Sequence, residues 1–307
     1  MKKTSKIMSL VLAGAMVLSM TACAGNTAET TSAAAKSQET AADTASKAEE
    51  TTGAEASESE TAAKAEGTTY KIGVLQLVQH TALDAANDGS IAALDDAGIA
   101  YEVDQQNASG DQSACQTVAS KFANEKKDLI LAIATPAAQA MVGAVEDTPV
   151  LITAVTDPAE SGLVDTNEKP GANVTGTSDL TPVKEQIDLL KQLVPEAKTV
   201  GVLYCSAESN SKIQADMAKE AIAAAGMESK EYTVSSSNEI QTVVQSMVGA
   251  VDAVYAPTDN VIAAGMATVG MVAGDNNLPV ICGEAGMVQN GGLATYGIDY
   301  YQLGYAD

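Results

Sequence analysis

From residue 70 onward, short apolar runs alternate with segments whose apolar residues recur at helical spacing. Leu129–Ala134 is such a run and leads straight into Thr135-Pro136 and a small-residue segment. Buried parallel strands read as continuous apolar runs, and proline is favoured at the first position of a helix. Asp128–Ala140 is therefore predicted as strand, tight turn and helix, with Thr135 as the N-cap. Before it, Lys71–Leu77 reads as a strand and Thr81–Gly98 as a helix with Leu83, Ala86, Ile91 and Leu94 near one face. Tyr101–Gln105 is a second strand, and Gln112–Lys127 a helix with Cys115, Val118, Ala119 and Phe122 as its core stripe. Pro149–Val155 is a fourth strand. Strands alternating with helices predict a parallel sheet covered on both faces.

The pattern restarts after Asn173–Ser178. Thr181-Pro182 open a helix with Val183, Ile187, Leu190 and Val194 inward. Ile72-Gly73-Val74-Leu75 returns as Val200-Gly201-Val202-Leu203, Asp128–Ala140 as Asp252–Ala264, and Thr148-Pro149-Val150-Leu151 as Leu278-Pro279-Val280-Ile281. Three matches in the same order, about 125–130 residues apart, predict two similar α/β halves. The first half is assigned residues 68–177 plus 293–307 and the second 178–292, with Asn173–Asp179 and Ala294–Asp299 as crossings.

In doubly wound sheets ligands sit beyond the carboxyl ends of the strands. The polar residues at those ends are Gln79, His80, Thr135, Thr156, Asp157, Ser178, Asp179, Ser206, Thr258, Asp259, Asn260, Glu284 and Asp299, which two facing halves would bring to one cleft. Thr135, with the N–H groups of Ala137 and Ala138, offers an anion site at a helix N-terminus, suited to a ligand carboxylate. Plain capping by Thr135 is the alternative. Asp157 and Asp259 are candidates for a ligand ammonium, Asp259 preferred, against ordinary turn or cap roles. Ser178 is a further donor to the carboxylate, and Glu284 either lines the cleft or sits on its rim. His80 is the single histidine, with a ligand contact and a loop role both open.

The first 22 residues read as a signal peptide: Lys2, Lys3 and Lys6 precede the apolar Ile7–Met20. Leu18-Ser19-Met20-Thr21-Ala22-Cys23 resembles a bacterial lipobox, which implies lipid on Cys23. Residues 23–67 have almost no large apolar side chain and read as a solvated tether. The formal net charge of −23 argues against a nucleic-acid partner. There is no P-loop, nucleophile elbow or metal-ligand cluster, so neither cofactor nor metal is expected. Cys205 and Cys282 end strands that are not neighbours in the expected order. That puts them about 10 Å apart, beyond the roughly 7 Å a disulfide spans, so free thiols are predicted. A racemase-like enzyme using these two thiols is the catalytic alternative.

The lipobox, Gln79-His80 followed by Ala82-Leu83-Asp84, and Ala134-Thr135-Pro136-Ala137-Ala138-Gln139 form part of a recognisable set. Thr153-Ala154-Val155-Thr156-Asp157-Pro158, Asn173-Val174-Thr175-Gly176, Thr181-Pro182-Val183-Lys184-Glu185-Gln186 and Pro257-Thr258-Asp259-Asn260 complete it. Together, over residues 70–305, they resemble the substrate-binding lipoproteins of ABC transporters in the tryptophan/tyrosine-uptake group. The resemblance implies a type I periplasmic-binding-protein fold, two Rossmann-like lobes with parallel sheets joined by a hinge. It also implies capture of an aromatic or large apolar amino acid, and no catalysis. A monomer anchored by lipid to the outer face of the bacterial cell membrane, working with a permease and an ATPase, follows from the same resemblance. A sensory module for a membrane receptor would use the same lobes. Family members continue beyond the point where this chain stops, Asp307, which implies a first lobe truncated at its C-terminus.

Overall fold

The computed structural model describes residues 68–307. The signal peptide (1–22), Cys23 and the tether (23–67) lie outside the described residues. The first lobe is built on β1 (Tyr70–Gln76), β2 (Tyr101–Asn107), β3 (Leu129–Ile133), β4 (Val150–Val155) and β5 (Val174–Ser178), with α1 (Thr81–Asp96), α2 (Gln112–Glu125) and α3 (Thr135–Val142) between them. All neighbouring strands are parallel, in the order β2-β1-β3-β4-β5.

The second lobe runs through α4 (Val183–Leu193), β6 (Thr199–Cys205), α5 (Ser209–Ala224), β7 (Glu228–Val234) and α6 (Ile240–Met247). It continues with β8 (Ala253–Ala256), α7 (Asn260–Ala264), α8 (Met266–Asp275), β9 (Val280–Cys282), α9 (Ala285–Gln289) and β10 (Ala294–Thr295). Its parallel sheet, β10-β9-β8-β6-β7, has the first sheet's order read from the other edge. Because β10 pairs with β9, residues 294–295 belong to the second sheet and the chain crosses back only after Thr295. It ends in α10 (Tyr300–Tyr305), which lies on α1 of the first lobe.

The internal repeat has a physical basis in both halves. A Cβ on Gly73 would collide with the Phe122 ring and one on Gly201 with Met247, so each glycine lets a helix side chain lie against the sheet. Asp128 Oδ2 accepts the Lys71 N–H at 2.7 Å, and Asp252 Oδ2 accepts those of Lys198 and Thr199 at 2.8 and 2.9 Å. The repeated aspartate thus pins the start of the neighbouring strand in each lobe. Cys115 is buried on its helix, and Cys205 and Cys282 are free thiols on β6 and β9, with β8 between them.

The return helix is held by close backbone approach. A Cβ on Gly89 of α1 would meet the Tyr301 carbonyl, and one on Gly304 would meet the Ala86 carbonyl. Ser90 Oγ, 3.0 Å from the carbonyl oxygens of both Ala86 and Gly304, bonds across the same contact. Gly304→Ala should force the helices apart and lower stability by about 1–3 kcal/mol, as overpacking does. Thermal unfolding of the variant checks this, with the exposed Gly274→Ala as the control that should not lose stability.

Candidate functional site

Between the lobes lies a small cavity. His80, Leu83, Ala154, Thr156, Asp179 and Tyr300 line it from the first lobe. Asn210, Thr258, Asp259, Asn260, Ala263 and Glu284 line it from the second. It leaves room for the centre of a water-sized sphere over only about 10 Å³, about one water molecule's worth. Neither lysine nor arginine is among the lining residues.

Each strand end contributes differently from its polar sequence. After β1, Gln79 is exposed and outside the cavity, while His80 starts α1 with an extended backbone and no capping bond from its side chain. After β3, Ala134 takes a left-handed φ of 84° and is itself the residue before the helix. Thr135 therefore stands inside the first turn rather than capping it, and its buried hydroxyl has no partner. Ala137 and Ala138 are fully buried in the first-lobe core. The expected anion site at Thr135, Ala137 and Ala138 is thus packed away from the cavity lining.

After β4, Thr156 lines the cavity but Asp157 does not. Its Oδ1 accepts from Glu160 N–H and Asn167 Nδ2, both at 3.0 Å, which makes it a turn residue. Ser178 is exposed, donates to the Thr156 carbonyl at 2.7 Å and accepts from Leu180 N–H at 3.3 Å. Asp299 is also exposed and caps α10 through Gln302 N–H at 3.1 Å. In both places the neighbouring residue, Asp179 or Tyr300, is the one that faces inward.

Asp259 lines the cavity, and each of its oxygens already accepts a backbone N–H. Oδ1 accepts from Ile262 N–H at 2.7 Å, capping α7, and Oδ2 accepts from Cys205 N–H at 2.5 Å. The preferred ammonium candidate Asp259 is thus a carboxylate held by two backbone donors, the cap role weighed against it in the sequence. Glu284 is likewise a cap, accepting from Met287 N–H at 2.8 Å and from Gly286 N–H. Asp179 differs. Its Oδ2 accepts from the Tyr300 hydroxyl at 2.7 Å, and its buried Oδ1 has no partner.

Tyr300, Asn210, Glu208 and Gln214 were not singled out by strand-end reasoning. Gln214 and Asn210 sit four apart on α5, wholly or nearly buried on the face that also carries Ala215, Ala218 and Ile222. Buried amides on a core-facing stripe are the signal that could have found them. Gln214 Nε2 donates to Thr156 Oγ1 across the lobes at 3.0 Å and to Thr258 Oγ1. His80 Nε2 and Asn260 Oδ1 make a second cross-lobe bond of 3.3 Å.

Burial dominates the electrostatics. It pushes the Asp179 carboxyl up to about 6, only partly offset by the hydroxyls of Tyr300 and Thr156. Glu284 is raised by burial against the pull of its two backbone N–H donors, with the nearby Asp179 adding repulsion. Asp259 and Glu208 are both raised by burial, and their proximity disfavours full ionisation of the pair. His80 is lowered by burial, which favours the neutral imidazole. Three buried polar atoms on the lining residues have no partner: Asp179 Oδ1, Asn210 Oδ1 and His80 Nδ1. Such a cavity suits a compact cationic donor.

Burial pushes both the Cys205 and Cys282 thiols up to about 12, and neither lines the cavity. The paired-thiol reading therefore lacks both a shared site and a thiolate. Among the described residues there is no group of three or more His, Cys, Asp or Glu side chains placed to hold a metal ion. Nor is any described helix long and apolar enough to cross a membrane.

The family described as ABC transporter substrate binding protein matches residues 71–307. A protein of Clostridioides difficile (strain R20291) named tyrosine-binding protein is 42% identical over 310 residues, spanning 99% of this chain and 82% of its own. A Streptococcus pneumonia ABC domain in complex with L-Trp is 40% identical with a TM-score of 0.76, covering 78% of this chain and 82% of that one. The ligand-free, open structure of a Clostridium difficile substrate-binding protein with adhesive properties is 48% identical. It covers 77% of this chain and 82% of that one, but superimposes with a TM-score of only 0.57.

Proposed function

The chain belongs to the ABC transporter substrate-binding protein family, and from that premise we propose that it captures an aromatic L-amino acid between its lobes. The observation that carries this reading is Asp179: a buried carboxylate with one oxygen unpartnered, in a cavity without a cationic side chain. An α-ammonium supplies both the charge and the donors that this oxygen and Asn210 Oδ1 lack. The relatives named for tyrosine and holding L-Trp support the aromatic class.

The lobe arrangement supports capture by closure. The ligand-free relative described as open superimposes with a TM-score of 0.57 despite its 48% identity, whereas the L-Trp complex, at 40%, reaches 0.76. Rotation of one lobe against the other lowers a whole-chain score without altering either lobe. The cavity as it stands is too small for an aromatic amino acid, so the lobes must part to admit one. Calorimetric titration with L-tyrosine and L-tryptophan tests the reading. At free ligand near 100 times Kd the fold should gain about 2.7 kcal/mol, visible as a raised melting temperature. No heat and no melting shift with any amino acid would overturn it.

Substrate-binding proteins of ABC transporters work outside the cytoplasm. For this chain the finer picture is a monomer tethered by lipid on Cys23 and delivering ligand to a permease driven by an ATPase. Cys23→Ala in the full chain should move the protein from the membrane fraction to the soluble fraction and abolish labelling by radioactive palmitate. Palmitate incorporation unaffected by the substitution would contradict the anchor.

A further inference from the structure

Glu208, Asn260 and His80 form a chain of bonds that fixes which imidazole nitrogen carries the proton. Glu208 Oε2 accepts from Asn260 Nδ2 at 2.7 Å and from Asn260 N–H at 3.2 Å. That contact turns the Asn260 amide so that Oδ1, an acceptor only, faces His80 Nε2 at 3.3 Å. Nε2 must then be the protonated nitrogen. Nδ1 is left as a bare acceptor, buried, without a partner, on a residue that lines the cavity.

His80 and Asp179 stand at opposite ends of the first lobe's contribution to the cavity. They follow β1 and β5, three strand spacings apart in the sheet, about 14 Å at the strand ends. We propose that a ligand whose ammonium sits on Asp179 extends its side chain toward the β1 end, where His80 Nδ1 accepts a hydrogen bond from a donor at the far end of the aromatic side chain. His80 thereby selects side chains ending in O–H or N–H over a plain phenyl ring. This inference rests on the aromatic amino-acid reading and narrows it. The cost to phenylalanine is a buried acceptor left unpaired in the complex. Glu208 and Asn260 act through His80 and are positioning residues.

Two measurements test it on the wild-type protein. In calorimetry, L-tyrosine should bind about tenfold or more tightly than L-phenylalanine, as expected for one buried hydrogen bond. Since the chain has a single histidine, nitrogen NMR of untagged protein reports His80 alone. The ligand-free imidazole should be the neutral Nε2–H form, and its Nδ1 resonance should move upfield with tyrosine and stay with phenylalanine. Asn260→Ala should release the tautomer and bring the tyrosine-to-phenylalanine ratio toward one. An Nδ1–H tautomer, or equal affinity for the two ligands, would overturn the role of His80 and leave amino-acid capture standing. Binding of neither ligand, nor of any other amino acid, would remove the underlying reading and this one with it.

Discussion

Asp179→Asn is expected to weaken L-tyrosine binding by about thirtyfold or more while the protein stays folded. Among the described lining residues, Asp179 is the carboxylate with an oxygen that accepts no hydrogen bond, whereas both oxygens of Asp259 and of Glu284 accept from backbone N–H groups. Removing one partner of a buried, hydrogen-bonded charge pair costs about 2–5 kcal/mol, or at least a thirtyfold loss and commonly far more. Without ligand the sign reverses. The folded-state value for Asp179 is about 6 against an ordinary 3.8, so the folded protein holds this proton more tightly than the unfolded chain. Its contribution is therefore most favourable below about pH 4, is lost as pH rises through 6, and leaves a burden of about 3 kcal/mol at neutral pH. The ligand-free variant should accordingly melt higher than the wild type at pH 7, with the gap closing toward pH 4. Tyrosine affinity of the wild type should move the opposite way, falling about tenfold for each unit below pH 6 as the carboxylate protonates. Titration calorimetry and thermal unfolding across that range read both effects.

Asp259→Ala should do the reverse: a large loss of stability and a small change in affinity. Losing the α7 cap costs about 1 kcal/mol. Leaving the buried Cys205 N–H unpaired adds about 1–3 kcal/mol. Denaturant unfolding should therefore show a deficit of about 2–4 kcal/mol, with tyrosine Kd within about threefold where the variant is folded. Asp259→Asn keeps an acceptor for Ile262 N–H and sheds the repulsion with Glu208, so its deficit should be smaller. An Asp259→Ala protein of normal stability that no longer binds would return the ammonium to Asp259.

The contrast between these two aspartates shows where sequence reasoning ends. The strands, helices and repeat were legible because period, proline and glycine are local signals. Gly73 with Gly201 and Asp128 with Asp252 do matching work in the two halves. The rule that ligands lie beyond the carboxyl ends of strands brought His80, Thr156, Asp179, Thr258, Asp259 and Glu284 to the cavity. It could not tell which oxygens were free. Asp259 is occupied by a backbone N–H from β6, more than 50 residues earlier in the chain, a contact that no local pattern encodes.

The remaining misplacements have the same origin at shorter range. A positive φ at Ala134 shifts Thr135 into the helix, so the apparent cap faces the lobe interior. At Ser178 and Asp299 the polar residue that closes the turn is exposed and the next residue points in, while the half-buried Asp157 is bonded within its own turn. Which of two adjacent residues faces a cleft depends on the facing lobe, here through Gln214 to Thr156 and Asn260 to His80. Asn210 and Gln214 were readable in principle, since two amides on a core-facing stripe of α5 demand partners.

The most direct measurement compares L-tyrosine with 3-(4-hydroxyphenyl)propanoate, the same molecule without its ammonium, by calorimetry on the wild-type protein at pH 7. Capture through Asp179 predicts saturable binding of tyrosine and an affinity for the des-amino compound weaker by about thirtyfold or more. Equal affinity for the two would contradict the assignment of the buried carboxylate to the ligand's ammonium.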